Sequence, residues 1–434
     1  MSSRLPSNPF SPDCSPAGGR RPPGDGDLSP RESGTQSGQN APGGRVPPSF
    51  SGEFPVTLSI GIMAWNEETS IGAMLASLFG QSVFAFLAQR GERCEVVCLA
   101  NGCTDRTVAV AEEICARMQR EHPARRGLSA RVADLPEPGR NRTWNRFVHE
   151  FSAPEAKFIC LMDADILFNR PHTIQLVLTE LERNPRLGGA SDWPCKTIAG
   201  KRRPSLRERL SLATSDMTGS IPGRLNGMMY CLRAEIARNI YLPRDLGATD
   251  DGFFKTLICT DFLRAPLDPG KVVSVREATH LYEPYLSLRD VVNNQKRQMI
   301  GQTTLHVVFA HLQGLSEAER ANLGATMREH EARDPDWLKK LIARHMAEVR
   351  WFWRLFPGLL GFRWRRLMQL PLRQRFTHLP AACTGFVVTL VASWQAARFL
   401  RRGIEFYWPK TNRQAPAAAP ALPVEAAERI ADSP

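Results

Sequence analysis

Short apolar runs alternate with stretches of helical periodicity over residues 54–170, and this alternation limits the possible folds more than any other feature. Residues 56–62 alternate large apolar side chains with small ones, which is typical of a strand, and residues 70–88 carry apolar side chains at helical spacing. Strands that alternate with helices of about ten or more residues form a parallel sheet covered by helices. The sequence therefore predicts an α/β fold with a mostly parallel sheet and helices on both faces. The same patterns predict further strands at 95–99, 131–135 and 158–162 and further helices at 107–119 and 141–151.

Polar side chains follow three of these predicted strands, at the point where each strand ends. In open parallel sheets ligands bind beyond the carboxyl ends of the strands, so these side chains would meet at one edge. Turn chemistry explains any one of the three segments, because Asn-Gly and Thr-Asp are ordinary turn residues. Three such segments at one edge favour a ligand site instead. The side chains concerned are those of Asn66, Glu67, Asn101, Asp105, Asp163 and Asp165.

The segment Asp163-Ala164-Asp165 follows an entirely apolar predicted strand and is the strongest of these signals. Two carboxylates at a sheet edge suit Mg²⁺ or Mn²⁺, which in turn bridges the oxygens of a diphosphate. The alternative is structural, with the two aspartates in a turn or at the cap of the following helix. The apolar strand in front of them favours the metal interpretation.

Four elements in this order resemble the nucleotide-binding half of the family-2 glycosyltransferases. The resemblance covers residues 54–300 and implies a GT-A fold, which is a Rossmann-like α/β domain. It also implies a nucleotide-sugar donor and a divalent metal, Mg²⁺ or Mn²⁺, and hence a glycosyltransferase of the hexosyltransferase class. The four elements are Trp65-Asn66-Glu67-Glu68, Asn101-Gly102-Cys103-Thr104-Asp105, Gly139-Arg140 with Asn145, and Asp163-Ala164-Asp165.

The resemblance implies a role for each residue on the donor side. Asp165 would ligate the metal directly, and Asp163 would join the metal site through a bound water or contact the ribose. The metal would neutralise the diphosphate leaving group while the glycosidic bond breaks. Asn101 stands where many relatives carry Asp, which makes the contact with the nucleotide base neutral. The other donor-binding positions would be Asn66, Glu67, Asp105 and Asn145.

On the acceptor side, the segment Thr249-Asp250-Asp251-Gly252 matches the family's Glu-Asp motif, with Asp250 in place of Glu. By this resemblance Asp251 is the general base that takes the acceptor's proton in an inverting transfer, and Asp250 helps to orient it. The alternative is a pair of acids at a helix N-terminus, where the helix dipole stabilises them. Upstream, residues 223–233 resemble the family's acceptor-side strand, and Gly227 permits a close approach of the backbone to a ligand.

The segment Gln295-Lys296-Arg297-Gln298 stands where processive relatives carry Gln-x-x-Arg-Trp, but its spacing is short and the tryptophan is missing. We therefore expect a non-processive enzyme rather than a polysaccharide-extruding synthase. Arg297 would bind the diphosphate of the donor, or else it lies on a solvated helix face. His280 is a further candidate metal ligand, although a single histidine is more often structural.

Residues 336–413 carry the whole positive excess of the chain, with 15 Lys or Arg against three acidic residues and six of the nine tryptophans. Helices rich in Trp and Arg lie in the headgroup region of anionic membranes. Residues 379–397 contain no charged side chain, and they suit a membrane span, an interfacial or re-entrant helix, or a buried core helix. Interleaved Trp and Arg also suit nucleic acid, but that interpretation leaves the uncharged run unexplained, so we expect no nucleic-acid partner.

Composition divides the chain further. Residues 1–50 include 27 Ser, Pro or Gly and bury too little apolar surface to fold, so we expect a disordered tail there. The ten cysteines form no CxxC pair, and the N-terminus lacks the pattern of a secretory signal, so we expect a catalytic domain on the cytoplasmic side of a membrane. The predicted parts are the tail 1–50, a glycosyltransferase domain over 54–300 with a nucleotide-sugar half at 54–170 and an acceptor half at 171–300, a basic helical region over 301–413 with a possible membrane helix at 379–400, and a second disordered tail at 414–434.

The predicted function is sugar transfer with inversion from a nucleoside-diphosphate sugar to a hydroxyl of a glycan or lipid-linked acceptor, at an anionic membrane surface. One alternative is a sugar-nucleotide nucleotidyltransferase, which needs a glycine-rich basic loop after the first strand, and residues 64–68 contain neither glycine nor a basic side chain. A second alternative is a catalytically silent protein that binds nucleotide sugars. The intact carboxylates Asp163, Asp165 and Asp251 disfavour it.

Overall fold

The fold is taken from a computed structural model of the chain. It describes residues 54–200, 205, 224–247, 249–284, 287–349, 355, 364, 367–368 and 372–403. The predicted tails 1–50 and 414–434 lie outside the described residues, as do the basic and tryptophan-rich stretch at 350–354 and most of 356–371.

Eight strands form one mixed sheet in the order β3-β2-β1-β4-β7-β6-β8-β5. The first four strands of that order are parallel, as the sequence predicts. β7 runs antiparallel to both β4 and β6, whereas β8 is parallel to β6 and antiparallel to β5. The strands are β1 (Val56–Ala64), β2 (Arg93–Asn101), β3 (Leu128–Leu135), β4 (Phe158–Asp163), β5 (Leu167–Phe168), β6 (Gly189–Lys196), β7 (Met229–Arg233) and β8 (Val272–Tyr282).

Helices cover both faces of the sheet, because successive side chains of a strand point to opposite faces. Ile60 of β1 belongs to the same hydrophobic core as Leu75. Leu161 of β4 belongs to a second core, together with Trp144 and Phe253. The helices in chain order are α1 (Ile71–Phe79), α2 (Val83–Gln89), α3 (Thr107–Glu121), α4 (Arg140–Arg146), α5 (Thr173–Arg183), α6 (Ala234–Arg238), α7 (Asp250–Cys259), α8 (Leu288–Gln313), α9 (Glu317–Ala321), α10 (Leu323–Arg333), α11 (Trp337–Glu348) and α12 (Leu372–Arg401).

The sequence predicts one helix over 70–88, and this is wrong. The chain forms two helices, α1 and α2, which are separated by residues 80–82. Glycine is a poor helix former. The side chain of Gln81 holds the break in place from outside, because its amide donates to the carbonyl of Arg170 at 2.7 Å and its oxygen accepts from the backbone of Ile174 at 3.2 Å. Local periodicity carries no information about such a distant partner.

The stretch Ile71–Gln89 is, within the described part of the chain, the one that is long and apolar enough to cross a membrane. Half of it is buried inside the protein, and it comprises α1 and α2. Ile71, Leu75 and Val83 are fully buried in the sheet core, so this stretch serves as a core element.

The C-terminal helices share a core with the sheet. α8 runs unbroken through the predicted boundary at 300/301, and its residues Val308 and Leu312 are buried in the core that also holds Trp144. Ile342 of α11 and Ala396 of α12 join the same core. The described helical region is therefore packed onto the predicted glycosyltransferase domain.

Candidate active site

The strand order places a crevice at the carboxyl ends of β1 and β4. The chain builds β2 and β3 on one side of β1 and then crosses to β4 on the other side, which makes the gap between β1 and β4 the topological switch point. Ligands of open α/β sheets bind at such a point. Met63 of β1 pairs directly with Asp163 of β4, so the segment after β1 and the Asp163 carboxylate lie side by side.

The segment after β1 is tied to the segment after β2. Asn66 adopts a positive φ of 55°, a conformation that asparagine tolerates better than most residues. Its side-chain oxygen accepts from the backbone N–H of Thr104 at 2.7 Å. The backbone N–H of Glu67 donates to Thr107 Oγ1 at 2.7 Å, and the Glu67 carboxylate accepts from the hydroxyl of Ser70. The two predicted donor loops therefore form one hydrogen-bonded unit.

Two further predicted residues belong to this unit. The Asn101 side chain is buried, and its amide donates to the carbonyl of Ala64 at 2.7 Å while its oxygen accepts from Gly139 at 3.3 Å. The Asp105 carboxylate accepts from the backbone of Thr107 at 3.0 Å. The structure thus brings Asn66, Glu67, Asn101 and Asp105 to one edge of the sheet, as the sequence predicts from the strand ends.

Arg140 connects the donor side to the acceptor side. Its Nη1 donates to Asp163 Oδ1 at 2.7 Å, its Nε donates to Asp250 Oδ2 at 3.1 Å, and its Nη2 donates to the carbonyl of Gly227 at 3.1 Å. Burial lowers the pKa of Arg140, but the charges of Asp163 and Asp250 raise it by more, so the net pKa rises and the guanidinium stays charged. Gly139, at a φ of 147° that side chains rarely tolerate, carries the chain into α4 and sets the position of Arg140.

The sequence prediction assigned Arg140 no role of its own. The available signal was the position of Arg140 after Gly139 in the family-like motif. A local sequence pattern does not show which residues Arg140 contacts in space. Asp163 lies 23 residues and Asp250 lies 110 residues from Arg140. The same guanidinium therefore holds carboxylates that the sequence assigns to two different halves of the site.

Asp250 and Asp251 lie in the first turn of α7. This location agrees with the alternative interpretation, a pair of acids at a helix N-terminus, and it is also compatible with a chemical role. The side chain of Asp250 is buried and paired with Arg140. Asp251 is half-buried. Burial and, to a smaller extent, the charge of Asp250 raise the pKa of Asp251, the backbone N–H of Gly252 and the charges of Arg140 and Arg297 lower it, and the resulting pKa is about 6. A carboxylate with such a pKa exchanges a proton close to neutral pH.

Gly227 lies against Asp251. A Cβ atom added at Gly227 would meet Asp251 Cβ at 3.2 Å and Oδ2 at 3.5 Å. The Gly227 backbone is therefore close to the Asp251 side chain, and its predicted approach to a ligand stays a prediction.

The residues at the end of β4 fit a divalent metal. Asp163 and Asp165 are partly exposed, and Asp163 Oδ1 accepts from Arg140. Within the described residues no group of three or more His, Cys, Asp or Glu side chains lies close enough to hold a metal by itself. Mg²⁺ in nucleotide sites commonly takes one or two carboxylates, and water and phosphate oxygens complete its shell. The carboxylates after β4 match that kind of site.

His280 has the hydrogen-bonding pattern of a metal ligand. It is fully buried in β8, where it pairs with Phe168 of β5, three residues after Asp165. Its Nδ1 bonds to the buried Asp192 carboxylate, which also accepts from Asn226 at 3.2 Å. Its Nε2 is buried without a hydrogen-bond partner among the described residues. Histidines that ligate metals almost always bond a carboxylate or carbonyl through their other nitrogen.

Two predicted donor residues have other contacts. Both ends of the Asn145 amide bond to the backbone of Leu242 at 2.8 Å, so its predicted contact with the donor would require those bonds to break. Arg297 lies on α8, donates to Asn294 at 3.0 Å and lowers the pKa of Asp251. The charge of Arg297 therefore acts on Asp251, and the predicted contact of Arg297 with the donor diphosphate stays a prediction.

Comparison with known proteins identifies the class of the domain. The fold and the polar strand ends define a GT-A-type α/β domain. Residues 59–233 match the family model described as Glycosyl transferase family 2. This segment is therefore similar to the family-2 glycosyltransferases, and the resemblance predicted from the four motifs is confirmed. No curated protein matches the chain.

Two solved structures resemble the fold at low identity. The crystal structure of S. aureus TarS 1-349 shares 14% identity with a TM-score of 0.41 and covers 82% of this chain and 95% of that chain. Glucosyl-3-phosphoglycerate synthase from Mycobacterium tuberculosis, in complex with Mg²⁺ and uridine-diphosphate, shares 17% identity with a TM-score of 0.37 and covers 60% of this chain and 81% of that chain. Similarities at this level carry no argument about what this chain binds.

Proposed function

We propose that the protein transfers a sugar from a nucleoside-diphosphate sugar to an acceptor hydroxyl, with inversion and with the aid of a divalent metal. The observation that carries the proposal is the Arg140 bridge. It joins Asp163, at the switch point of the sheet, to Asp250, which is next to the carboxylate whose pKa is raised to about 6.

The donor binds at the carboxyl edge of the parallel strands. The loops after β1 and β2 are locked to each other through Asn66 and Asn101, which gives the nucleotide a rigid, neutral-to-acidic cradle. Asp105 and Glu67 contribute to that cradle through the contacts that hold the loops together. A rigid cradle loses little freedom on binding.

The metal, when bound, neutralises the charge that develops on the leaving diphosphate. Asp165 and Asp163 would hold Mg²⁺ or Mn²⁺, whereas His280, whose Nε2 has no partner, forms no group of three with them among the described residues. Arg140 holds Asp163 in a fixed orientation through its 2.7 Å bond.

Asp251 acts as the general base. The acceptor oxygen attacks the anomeric carbon from the face opposite the diphosphate, and the bond from that carbon to the diphosphate oxygen breaks. The proton of the acceptor hydroxyl passes to the Asp251 carboxylate, which is ionised above its pKa of about 6. Asp250 holds Arg140, which lowers the pKa of Asp251, while the charge of Asp250 itself raises that pKa.

The acceptor is the hydroxyl of a glycan or a lipid-linked sugar, and the transferred group is a hexose. We propose one transfer per encounter rather than processive synthesis. Gln295, the first residue of the incomplete processive motif, accepts a hydrogen bond from Thr389 of α12 at 3.2 Å. The catalytic domain would lie at the cytoplasmic face of a membrane, and no nucleic acid is involved.

A panel of nucleotide sugars tests the proposal. Purified full-length protein should release UDP or GDP from at least one donor in the presence of Mn²⁺ or Mg²⁺, and EDTA should stop the release. Asp165→Ala should abolish both turnover and metal-dependent donor binding. Glu155→Ala, which removes an exposed carboxylate from the turn before β4, should retain both. Turnover that persists in EDTA would contradict the metal, and no release from any donor would contradict the proposed transfer.

A further inference from the structure

Helix α12 buries its small and hydroxyl-bearing side chains. Ser393, Ala392 and Ala396 are fully buried, and Thr389 is almost so. The Ser393 hydroxyl lies 3.2 Å from Met299 Sδ of α8, and the Thr389 hydroxyl lies 3.2 Å from Gln295 Oε1 of the same helix α8. The face of α12 that packs on α8 therefore carries small and hydroxyl-bearing side chains.

The opposite face of α12 is apolar and exposed. Val387 is 57% exposed and Trp394 is 51% exposed. The exposed apolar residues recur every three, four or seven positions, which aligns them along one side of the helix. They are Leu379, Phe386, Val387, Leu390, Val391 and Trp394.

This distribution is the reverse of that in a helix that faces water. A surface helix of a soluble protein turns its large apolar side chains to the core and its hydroxyls to the solvent. Helices next to lipid do the opposite, since small and hydroxyl-bearing residues form the helix–helix contact and large apolar residues face the hydrocarbon. A contiguous exposed apolar stripe also marks an interaction surface rather than ordinary solvent contact.

Charge at the end of the stripe selects an anionic partner. Arg398 and Arg401 are exposed at the end of α12, as is Arg402 directly after it, and the Arg398 guanidinium stacks over the Trp394 ring at 5.6 Å. A groove between α11 and the end of α12 combines Lys339, Arg401 and Arg402 with apolar side chains such as Phe399. Aromatic and Arg side chains together are typical of the headgroup layer of a bilayer.

The contact with α8 decides the orientation of the helix. If α12 crossed the bilayer, the side of α8 that packs on it would enter the hydrocarbon with Gln295 and the charged Lys296, which contact Thr389 and Phe399 of α12. Intramembrane charges of that kind are costly. An interfacial position keeps α8 above the membrane and still covers the apolar stripe.

We propose that the outer face of α12, from Leu379 to Arg402, docks flat on an anionic lipid bilayer, with the apolar stripe at the acyl boundary and the arginines at the phosphates. This proposal depends on the membrane location proposed above for the enzyme and is independent of the proposed sugar transfer. Of the three options that the sequence leaves open for 379–397, the geometry favours the interfacial helix.

Vesicle flotation of full-length protein tests the surface. The protein should float with vesicles of phosphatidylcholine and phosphatidylglycerol, and less with phosphatidylcholine alone. The double variant Val387→Glu, Val391→Glu should lower binding to the anionic vesicles on the order of tenfold or more. Leu176→Glu places the same charge at an exposed leucine of α5, away from the stripe, and should float like the wild type.

Each other outcome overturns the surface. Unchanged flotation of the double variant would mean that lipid contacts lie elsewhere. A wild type that fails to float, but whose dimer in light scattering becomes a monomer in the double variant, would assign the stripe to a second copy of the chain. A wild type that neither floats nor dimerises would leave the stripe without a lipid partner. Equal melting temperatures of the variants exclude misfolding, and turnover with a soluble acceptor, measured separately, distinguishes a failure here from a failure of the proposed transfer.

Discussion

The substitution Asp251→Asn separates a working base from a structural acid. It keeps the shape of the side chain and removes the proton acceptor. General-base loss lowers turnover about 10²- to 10⁴-fold. Donor affinity should stay the same, because the donor loops are held by Asn66, Asn101 and their backbone partners, none of which contacts Asp251. In the wild type, turnover should fall as the pH drops through about 6, where Asp251 takes up its proton.

The same substitution should stabilise the fold. The pKa of Asp251 is about 6 in the folded protein, against an ordinary value of 3.8. A raised acid pKa means that the folded state prefers the protonated form, so ionisation of Asp251 destabilises the wild type. A shift of about two pKa units corresponds to about 3 kcal/mol, an upper estimate because the side chain keeps some contact with water. This destabilisation is absent below pH 3.8, grows between 3.8 and 6, and is complete above 6.

Urea unfolding of both proteins on either side of pH 6 measures this difference, provided that the slope with denaturant is unchanged. Asp251→Asn should gain stability relative to the wild type as the pH rises. The control is Asp250→Asn, which removes a buried partner of Arg140 and should lose stability at neutral pH. An Asp251→Asn protein with full turnover would remove the base assignment, and one that loses stability with rising pH would refute the electrostatic reasoning.

Two further substitutions examine how the base is held. Arg140→Met should lower the free energy of unfolding by about 3–5 kcal/mol, because Asp250 is left buried and unpaired, and it should move the acid limb of the pH–rate profile upward, because Arg140 lowers the pKa of Asp251. Arg140→Lys, which keeps a positive charge, should shift the acid limb of the pH–rate profile part of the way back to its wild-type position. A merely structural role of Arg140 would not require this shift. Gly227→Ala should lower turnover about ten- to hundredfold with unchanged donor binding, because its Cβ would lie 3.2 Å from Asp251 Cβ. Gly72→Ala, whose Cβ would meet Val110 at an ordinary 3.8 Å, is the matched control, and equal rates for the two alanine variants would contradict the proposed contact.

Burial on both faces explains which parts of the fold were predictable. β1, β2 and β4 are buried along almost their whole length, so they stand out as apolar runs. β8 was not predicted, because its middle residues Arg276 and Glu277 are exposed and interrupt the pattern. β5 has two residues and exists only because β8 pairs with it. Strands of this second kind depend on their neighbours rather than on their own sequence.

The uncharged run 379–397 shows a different limit. Its composition suits a span, an interfacial helix and a core helix, because composition does not say which side of a helix is covered. The structure separates the sides, with Ser393 inside and Val387 outside. The spacing of the run separates two sides of the helix, but only the packing of α12 on α8 shows which side is covered.

At the site, the sequence predicts Asp163, Asp250 and Asp251 but not their common partner. Motifs give positions along the chain, whereas the electrostatics depend on which charges meet in space. Arg140 pairs with both Asp163 and Asp250 and acts on Asp251 through its charge. The proposed donor side and the proposed base are for that reason linked by one cation, although the residues concerned come from segments more than a hundred positions apart.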